Sequence, residues 1–236
     1  MKTRILIIIP AYNESQSIER TIGSILQTHY DYVVINDGST DNTEQILKQQ
    51  NYNHINLLNN LGIGGAVQTG YKYALENNYD IAIQFDADGQ HNAEYIKDLI
   101  QPIIDQEADL VIGSCFVNKN SDNQRASKIR RFGVRFLSGT IKLFSGKRIY
   151  DPTSGFRAAN RKVIELFTNN YPLEYPEPIS NYELLRSRHY KIKEVPVKMN
   201  KRTTGRSSIH SWKSVYAAIN VFLSIIILSI GRNKYD

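Results

Sequence analysis

"RILIIIPAYNESQSIERTIGSILQTHYDYVVINDGST" runs from Arg4 to Thr40 and decides the fold class. Arg4–Ile9 carries a short, mostly β-branched apolar run, the pattern of a buried strand. Glu14–Gln27 sets Ile18, Ile22, Ile25 and Leu26 at helical spacing. Tyr32–Asn36 is apolar again and predicts a second strand. The pattern then repeats. Ser39–Gln50 opens with cap-type residues and predicts a helix, His54–Leu58 a strand, Gly64–Asn77 a helix and Asp80–Phe85 a strand. Ala93–Ile104 predicts a helix broken near Pro102, and Ala108–Ser114 a fifth strand, with Cys115 read as part of that buried strand. The expected class is α/β: a mostly parallel central sheet flanked by helices on both faces, with ligands bound beyond the carboxyl ends of its strands.

The alternation stops after Ser114. Residues 125–149 contain eight Lys/Arg and no acid, interleaved with Ile129, Phe132, Phe136, Leu137, Ile141 and Phe144 on one helical face. A basic amphipathic helix of this kind suits a membrane surface, or packs as an ordinary surface helix. Ser214–Gly231 is the most apolar segment. Its 16 residues from Val215 to Ile230 would span about 24 Å, short of the bilayer core of about 30 Å. That segment is expected to lie in the membrane interface or to pair with a partner, either a small membrane protein or a second copy of the chain, with a short true span and a buried core helix as the alternatives.

Charge divides the 236 residues unevenly. Residues 1–124 carry 7 Lys/Arg against 16 Asp/Glu, and residues 125–236 carry 22 against 7, for a net charge of +6. The basic half points to an anionic partner: a phosphorylated ligand, an anionic membrane face or nucleic acid. No helix-turn-helix, zinc or aromatic RNA motif accompanies the charge, so nucleic acid is not expected. One cysteine leaves no internal disulfide and fits a reducing compartment. The apolar run at Ile5–Ile9 is too short for a signal peptide, and the expected location is cytoplasmic. The five histidines form no metal spacing, although His91 adjoins an acidic motif and could touch a bound diphosphate.

That motif is "FDADGQH", Phe85–His91, just past the fourth strand. Asp86 and Asp88 suit a hard divalent cation, Mg²⁺ or Mn²⁺, that also takes phosphate oxygens, and Gln90 adds a neutral oxygen if the loop stays extended. "PAYNE" (Pro10–Glu14) and "NDGSTDNT" (Asn36–Thr43) end the first two strands, so Tyr12, Glu14 and Asp37 converge with Asp86 in one crevice. Asp37 could accept from a base N–H or a ribose hydroxyl, or cap a helix.

Six blocks in order, "IIIPAYNE", "VVINDGSTDNT", "NNLGIGGAVQTGYKYA", "QFDADGQH", "DPTSGFRAANR" and "EVPVKMNKRTTGRSSI", resemble the family 2 glycosyltransferases of the GT-A fold, in the branch of dolichyl- and polyprenyl-phosphate sugar synthases. The resemblance implies a catalytic domain over residues 1–210, with a nucleotide-sugar half (1–124), the basic segment (125–149) and an acceptor half (150–210), followed by the apolar helix of 211–236. It implies that Pro10, Ala11, Tyr12, Glu14, Asp37, Gly64, Asp86, Ala87 and Asp88 hold the donor, with Gly62, Gly64 and Gly65 letting the nucleotide approach the backbone. Asp86, Asp88 and Gln90 would hold the metal. Arg157, Arg202, Arg206 and Ser207 would meet the acceptor or its phosphate. Asp151 and Glu177, the latter in the stiff loop "EYPEP", are the two general-base candidates, needed if the acceptor is a hydroxyl but not if it is a lipid phosphate. The implied enzyme is an inverting transferase. It moves a sugar from a UDP-sugar to a polyprenyl phosphate at the cytoplasmic membrane face, or to a glycan or other non-lipid acceptor. A nucleotidyltransferase on a similar sheet would release pyrophosphate instead.

Overall fold

A computed structural model describes residues 3–117, 128–200 and 211–231. The elements in order are β1 (Ile5–Ala11), α1 (Ile18–Leu26), β2 (Asp31–Asn36), α2 (Thr43–Gln49), β3 (His54–Asn56), α3 (Gly62–Glu76), β4 (Ile81–Gln84), α4 (Ile96–Ile104), β5 (Leu110–Ser114), α5 (Lys128–Ser145), β6 (Arg157–Asn160), α6 (Arg161–Asn170), α7 (Pro176–Ser187), β7 (Ile192–Pro196) and α8 (Ser211–Ile230). They build one seven-stranded sheet in the order β3-β2-β1-β4-β6-β5-β7. All neighbouring pairs are parallel except those made by β6, which runs antiparallel between β4 and β5. The expected α/β class therefore holds, and the alternation of apolar runs foretells five of the seven strands, missing β7 and, more completely, β6. Its sequence, "RAAN", has no apolar run to announce it.

β1 is buried at every residue because helices cover both faces of the sheet. Leu6 and Ile8 pack on one side with Val67 and Tyr71 of α3, Val163 and Phe167 of α6 and Tyr182 of α7. Ile7 and Ile9 pack on the other with Ile18 and Ile22 of α1 and Leu99 of α4. The period-two alternation of one strand thus feeds two separate cores. Near β4 the order reverses: β2 and β3 lie to one side of β1 and the rest lie to the other. That reversal opens a crevice at the carboxyl ends of β1, β2 and β4.

Two local expectations are corrected. α4 is not broken at Pro102 but runs on to Ile104 with the proline inside it, its ring buried against the core. Cys115 is half-buried just beyond β5 rather than inside it.

α8 is docked on the domain. Val221 and Ile225 join the core beside Leu137 and Ile141 of α5, and Arg186 of α7 donates from its guanidinium to the carbonyls of Leu228 and Gly231 at the helix's C-terminal end. Those carbonyls have no partner within the helix, and a cation there also complements the helix dipole. On the outer side, Tyr216, Ile219, Leu223, Ile227 and Ile230 follow helical spacing and are all exposed. Beside them, α5 exposes Phe132, Phe136 and Leu143 together with Arg135 and Lys142. Among the described residues no helix is long and apolar enough to cross a membrane.

Candidate active site

The loops after β1 and β2 are laced to each other by polar contacts. Asn13, with a left-handed backbone (φ 57°), accepts at its side-chain oxygen from the N–H groups of Thr40 and Asp41. Thr43 Oγ1 accepts from the Glu14 N–H, and the Asp41 carboxylate accepts from the Ser15 N–H. Burial pushes the Asp41 carboxyl up, but hydrogen bonds from Thr43 and Ser15 outweigh it and leave it below the ordinary carboxylate value. The lacing holds two loops at one end of the sheet at fixed separation. Asn13, Asp41 and Thr43 belong to the quoted blocks, but nothing in their spacing says that they bond to each other.

The donor-side residues then sort by exposure. Pro10 and Ala11 are strand core, and the Ala11 carbonyl accepts from the Asp37 N–H. Ala87 is buried with its carbonyl bonded to Thr21 Oγ1. Tyr12 is 46% exposed at the lip of the crevice. Glu14 is half-buried and its carboxylate accepts from Ser17 Oγ at 2.6 Å, at the start of α1. Asp37 is buried, with Oδ1 accepting from the Leu61 N–H at 2.7 Å. Burial pushes its carboxyl up, opposed by the N–H groups of Leu61 and Gly62. It is therefore a helix cap, but of α3 rather than of the helix that follows it in sequence. Gly64 has a packing reason of its own. A Cβ there would lie 2.5 Å from the Pro172 carbonyl oxygen and 2.6 Å from Leu173 Cα, so close packing of α3 on the 172–173 loop accounts for the glycine. A Cβ at Gly65 would meet the Leu61 side chain of the same helix start.

The acidic turn is compact. The Asp86 N–H donates to His91 Nδ1 at 3.0 Å, which places the ring proton on Nε2, 3.5 Å from Asp86 Oδ2. The His91 ring is buried, stacked on Phe156 at 4.7 Å and edge-on to Phe85. It holds the turn from inside, which corrects the expectation that it touches a diphosphate. Asp88 Oδ1 accepts from the Gln90 N–H at 3.0 Å, and Gly89 takes φ +73°, so the loop folds back instead of staying extended. A side chain at Gly89 would also collide with the Arg20 guanidinium. The Gln90 carbonyl accepts from the Asn200 N–H. Asp86 and Asp88 remain half-buried at the carboxyl end of β4, next to the ends of β1 and β2. Among the described residues no three His, Cys, Asp or Glu side chains gather as a metal-holding group. The Asp86 and Asp88 carboxylates form an all-oxygen pair that leaves positions open, which fits Mg²⁺ or Mn²⁺ sharing phosphate oxygens rather than a closed zinc site, whereas the turn removes the extended loop on which the expected Gln90 contribution depended.

The acceptor-side residues are deeper than expected. Asp151 is 1% exposed; its carboxylate accepts from the Cys115 N–H and the Thr153 hydroxyl. Burial pushes its carboxyl up, opposed by those bonds and by the Arg130 charge. Its own N–H and that of Tyr150 both donate at 2.8 Å to the Glu194 carboxylate, a contact that sequence reasoning missed although Glu194 lies in the quoted "EVPV". Arg157 is fully enclosed, which corrects its expected contact with an acceptor. Glu177 sits in the first turn of α7 rather than in a loop, beneath the acidic turn. Arg202, Arg206 and Ser207 lie outside the described residues.

Residues 6–167 match the family described as Glycosyl transferase family 2. The chain is 32% identical to the UDP-N-acetylglucosamine–dolichyl-phosphate N-acetylglucosaminyltransferase of Methanococcus voltae, over 97% of each chain. It is 28% identical to the undecaprenyl-phosphate mannosyltransferase of Micrococcus luteus, over 92% of each. Among solved structures, glucosyl-3-phosphoglycerate synthase from Mycobacterium tuberculosis, crystallised with Mn²⁺, UDP and phosphoglyceric acid, superposes with a TM-score of 0.73 at 18% identity, over 98% of this chain and 80% of that one. That likeness establishes the GT-A fold.

Proposed function

The chain belongs to glycosyl transferase family 2, and on that premise we propose that it moves a sugar from a UDP-sugar to a polyprenyl phosphate at the cytoplasmic face of the cell membrane. The observation that carries this reading is the Asp86–Asp88 turn at the sheet's switch point, walled by the laced loops after β1 and β2. The names of the two relatives, each acting on a lipid phosphate, support the acceptor class. Tyr12, exposed at the lip, would stack on the base, while Asp37 keeps the neighbouring loop and α3 in register. Asp86 and Asp88 would hold a divalent cation, which supplies Lewis-acid neutralisation of the departing diphosphate.

Inversion follows from in-line attack by the acceptor oxygen on the anomeric carbon, opposite the leaving group. A lipid phosphate is already an anion, so the reaction needs positioning and charge balance more than proton removal. This agrees with the enclosure of Asp151 and with the internal bonding of Glu177. The outward apolar stripe of α8 and the cations and aromatic rings of α5 support a peripheral seat on an anionic membrane.

The test supplies UDP-sugars, Mn²⁺ and undecaprenyl phosphate to the full chain. UDP and a lipid-linked sugar are expected. Transfer only to a soluble glycan would move the acceptor class, and release of pyrophosphate would overturn the reaction.

A further inference from the structure

A polar layer lies under the acidic turn, and neither donor nor acceptor contact accounts for it. Gln84 and Arg157 stand opposite each other in the antiparallel β4–β6 pair, and both are shut off from solvent. Gln84 Nε2 donates to Glu177 Oε1 at 3.2 Å, and Gln84 Oε1 accepts from the Tyr171 hydroxyl at 3.4 Å. Arg157 donates through Nη1 to Ser180 Oγ and through Nη2 to the Ser154 carbonyl. Both bonds anchor it to the first turns of α7 and to the segment leading into β6. Burial pushes the Glu177 carboxyl up, the Arg157 charge works against that, and the Asp86 charge adds to the rise. Glu177 therefore shares one electrostatic neighbourhood with Arg157 and Asp86, and the Arg157 charge offsets part of what burial does to the Glu177 carboxyl.

Geometry carries the link upward. Gln84 and Asp86 are two residues apart at the end of a strand and project to one face. A Cβ at Gly155 would lie 2.9 Å from Gln84 Nε2 and 3.0 Å from both Asp86 carboxylate oxygens. The Gln84 amide and the Asp86 carboxylate thus converge over a bare Cα, and a side chain at 155 would have to push one or both aside. The α7 start that supplies Glu177 is itself built for one position: Tyr175 takes a left-handed backbone (φ 46°) ahead of Pro176.

We propose that Glu177, balanced by Arg157, is a positioning residue that fixes Gln84 and, through Gln84 over Gly155, fixes the Asp86 carboxylate at the crevice. This rests on the reading of Asp86 as a divalent-cation ligand. Residues that orient metal ligands from behind typically change metal affinity by about 10–100-fold when removed. A general base would behave otherwise, since its loss cuts proton transfer and leaves cation binding alone.

The experiment compares the full chain with Glu177→Ala, Glu177→Gln and Gln84→Leu. Mn²⁺ binding in the presence of UDP is read by calorimetry, and kcat is read separately at saturating Mn²⁺. Glu177→Ala and Gln84→Leu should weaken Mn²⁺ binding by about tenfold or more, with a smaller loss in kcat at saturation. Glu177→Gln keeps an oxygen that accepts from Gln84 Nε2 and should restore binding to within about threefold of the parent. Thermal unfolding of each variant checks that it folds, and the Gln variant carries the test if the Ala variant does not. Abolished turnover in Glu177→Gln with unchanged Mn²⁺ binding would make Glu177 a proton-transfer group and overturn the proposal. Unchanged binding in both Glu177→Ala and Gln84→Leu would overturn it too. If the parent chain itself shows no Mn²⁺-dependent UDP binding, the donor-site reading fails instead.

Discussion

The acidic groups at the two ends of the crevice are handled in opposite ways. On the donor side, Asp86 and Asp88 stay half-buried at the lip, held from below by His91 and by a turn at Gly89. On the acceptor side, Asp151 is buried while Glu177 and Glu194 are half-buried like the donor-side pair, yet burial pushes each of these three carboxyls up and each is tied to backbone or side-chain donors of the fold. A carboxylate left at the surface of a crevice keeps oxygens for a ligand. A carboxylate surrounded by donors and apolar groups has its oxygens committed to the fold and acts by holding other residues. Residue type alone does not separate the two, since all five are Asp or Glu beside a predicted strand or loop.

The sharpest way to break this contrast is at the lip. Asp88→Ala should lower turnover by at least about 10²-fold, measured as UDP release with Mn²⁺ and a UDP-sugar. Intact turnover would remove Asp88 from the site. Gly64→Ala probes the opposite kind of residue, one whose place in a quoted block comes from packing. Its Cβ meets backbone that cannot step aside, so a cost of about 1–3 kcal/mol is expected in thermal or urea unfolding, with UDP affinity unchanged within about twofold. A large loss of UDP affinity without destabilisation would return Gly64 to the ligand.

Smaller effects test the periphery. Ile227, 69% exposed on the outer stripe of α8, should matter for membrane contact and not for chemistry. Ile227→Ser is expected to weaken partition onto anionic vesicles by about tenfold, with transfer to a short-chain soluble acceptor unchanged. Equal vesicle binding by both proteins would place that stripe against something else.

The smallest effect is a pH slope. The Asp151 carboxyl is raised by burial in the folded chain, so its contribution to stability is complete below the ordinary value of 3.8 and is lost as pH rises through its folded value. Asn carries no such titration. Urea midpoints of Asp151→Asn and the parent should therefore diverge with rising pH, the parent losing ground above the ordinary carboxylate range. A constant gap across that range would mean that Asp151 is as well solvated as a surface acid.

Much of this was legible in the chain. Runs such as Ile5–Ile9 and Val33–Ile35 are buried because neighbours a few residues away repeat the same period, and that local rule predicted five strands, their parallel pairing and the crevice at their ends. The acidic turn was legible for the same reason: it stands directly after one of those strands. What the tertiary structure alone decided is which polar groups face the crevice. Asp37 accepts from Leu61, 24 residues on, at the head of α3, Gln84 meets Glu177 across 93 residues, and Arg157 disappears into a strand without an apolar run. Those partners are set by how the sheet inserts β6 antiparallel and lays α7 beneath the turn. Burial of a charge depends on what closes over it in space, and no short-range periodicity encodes that.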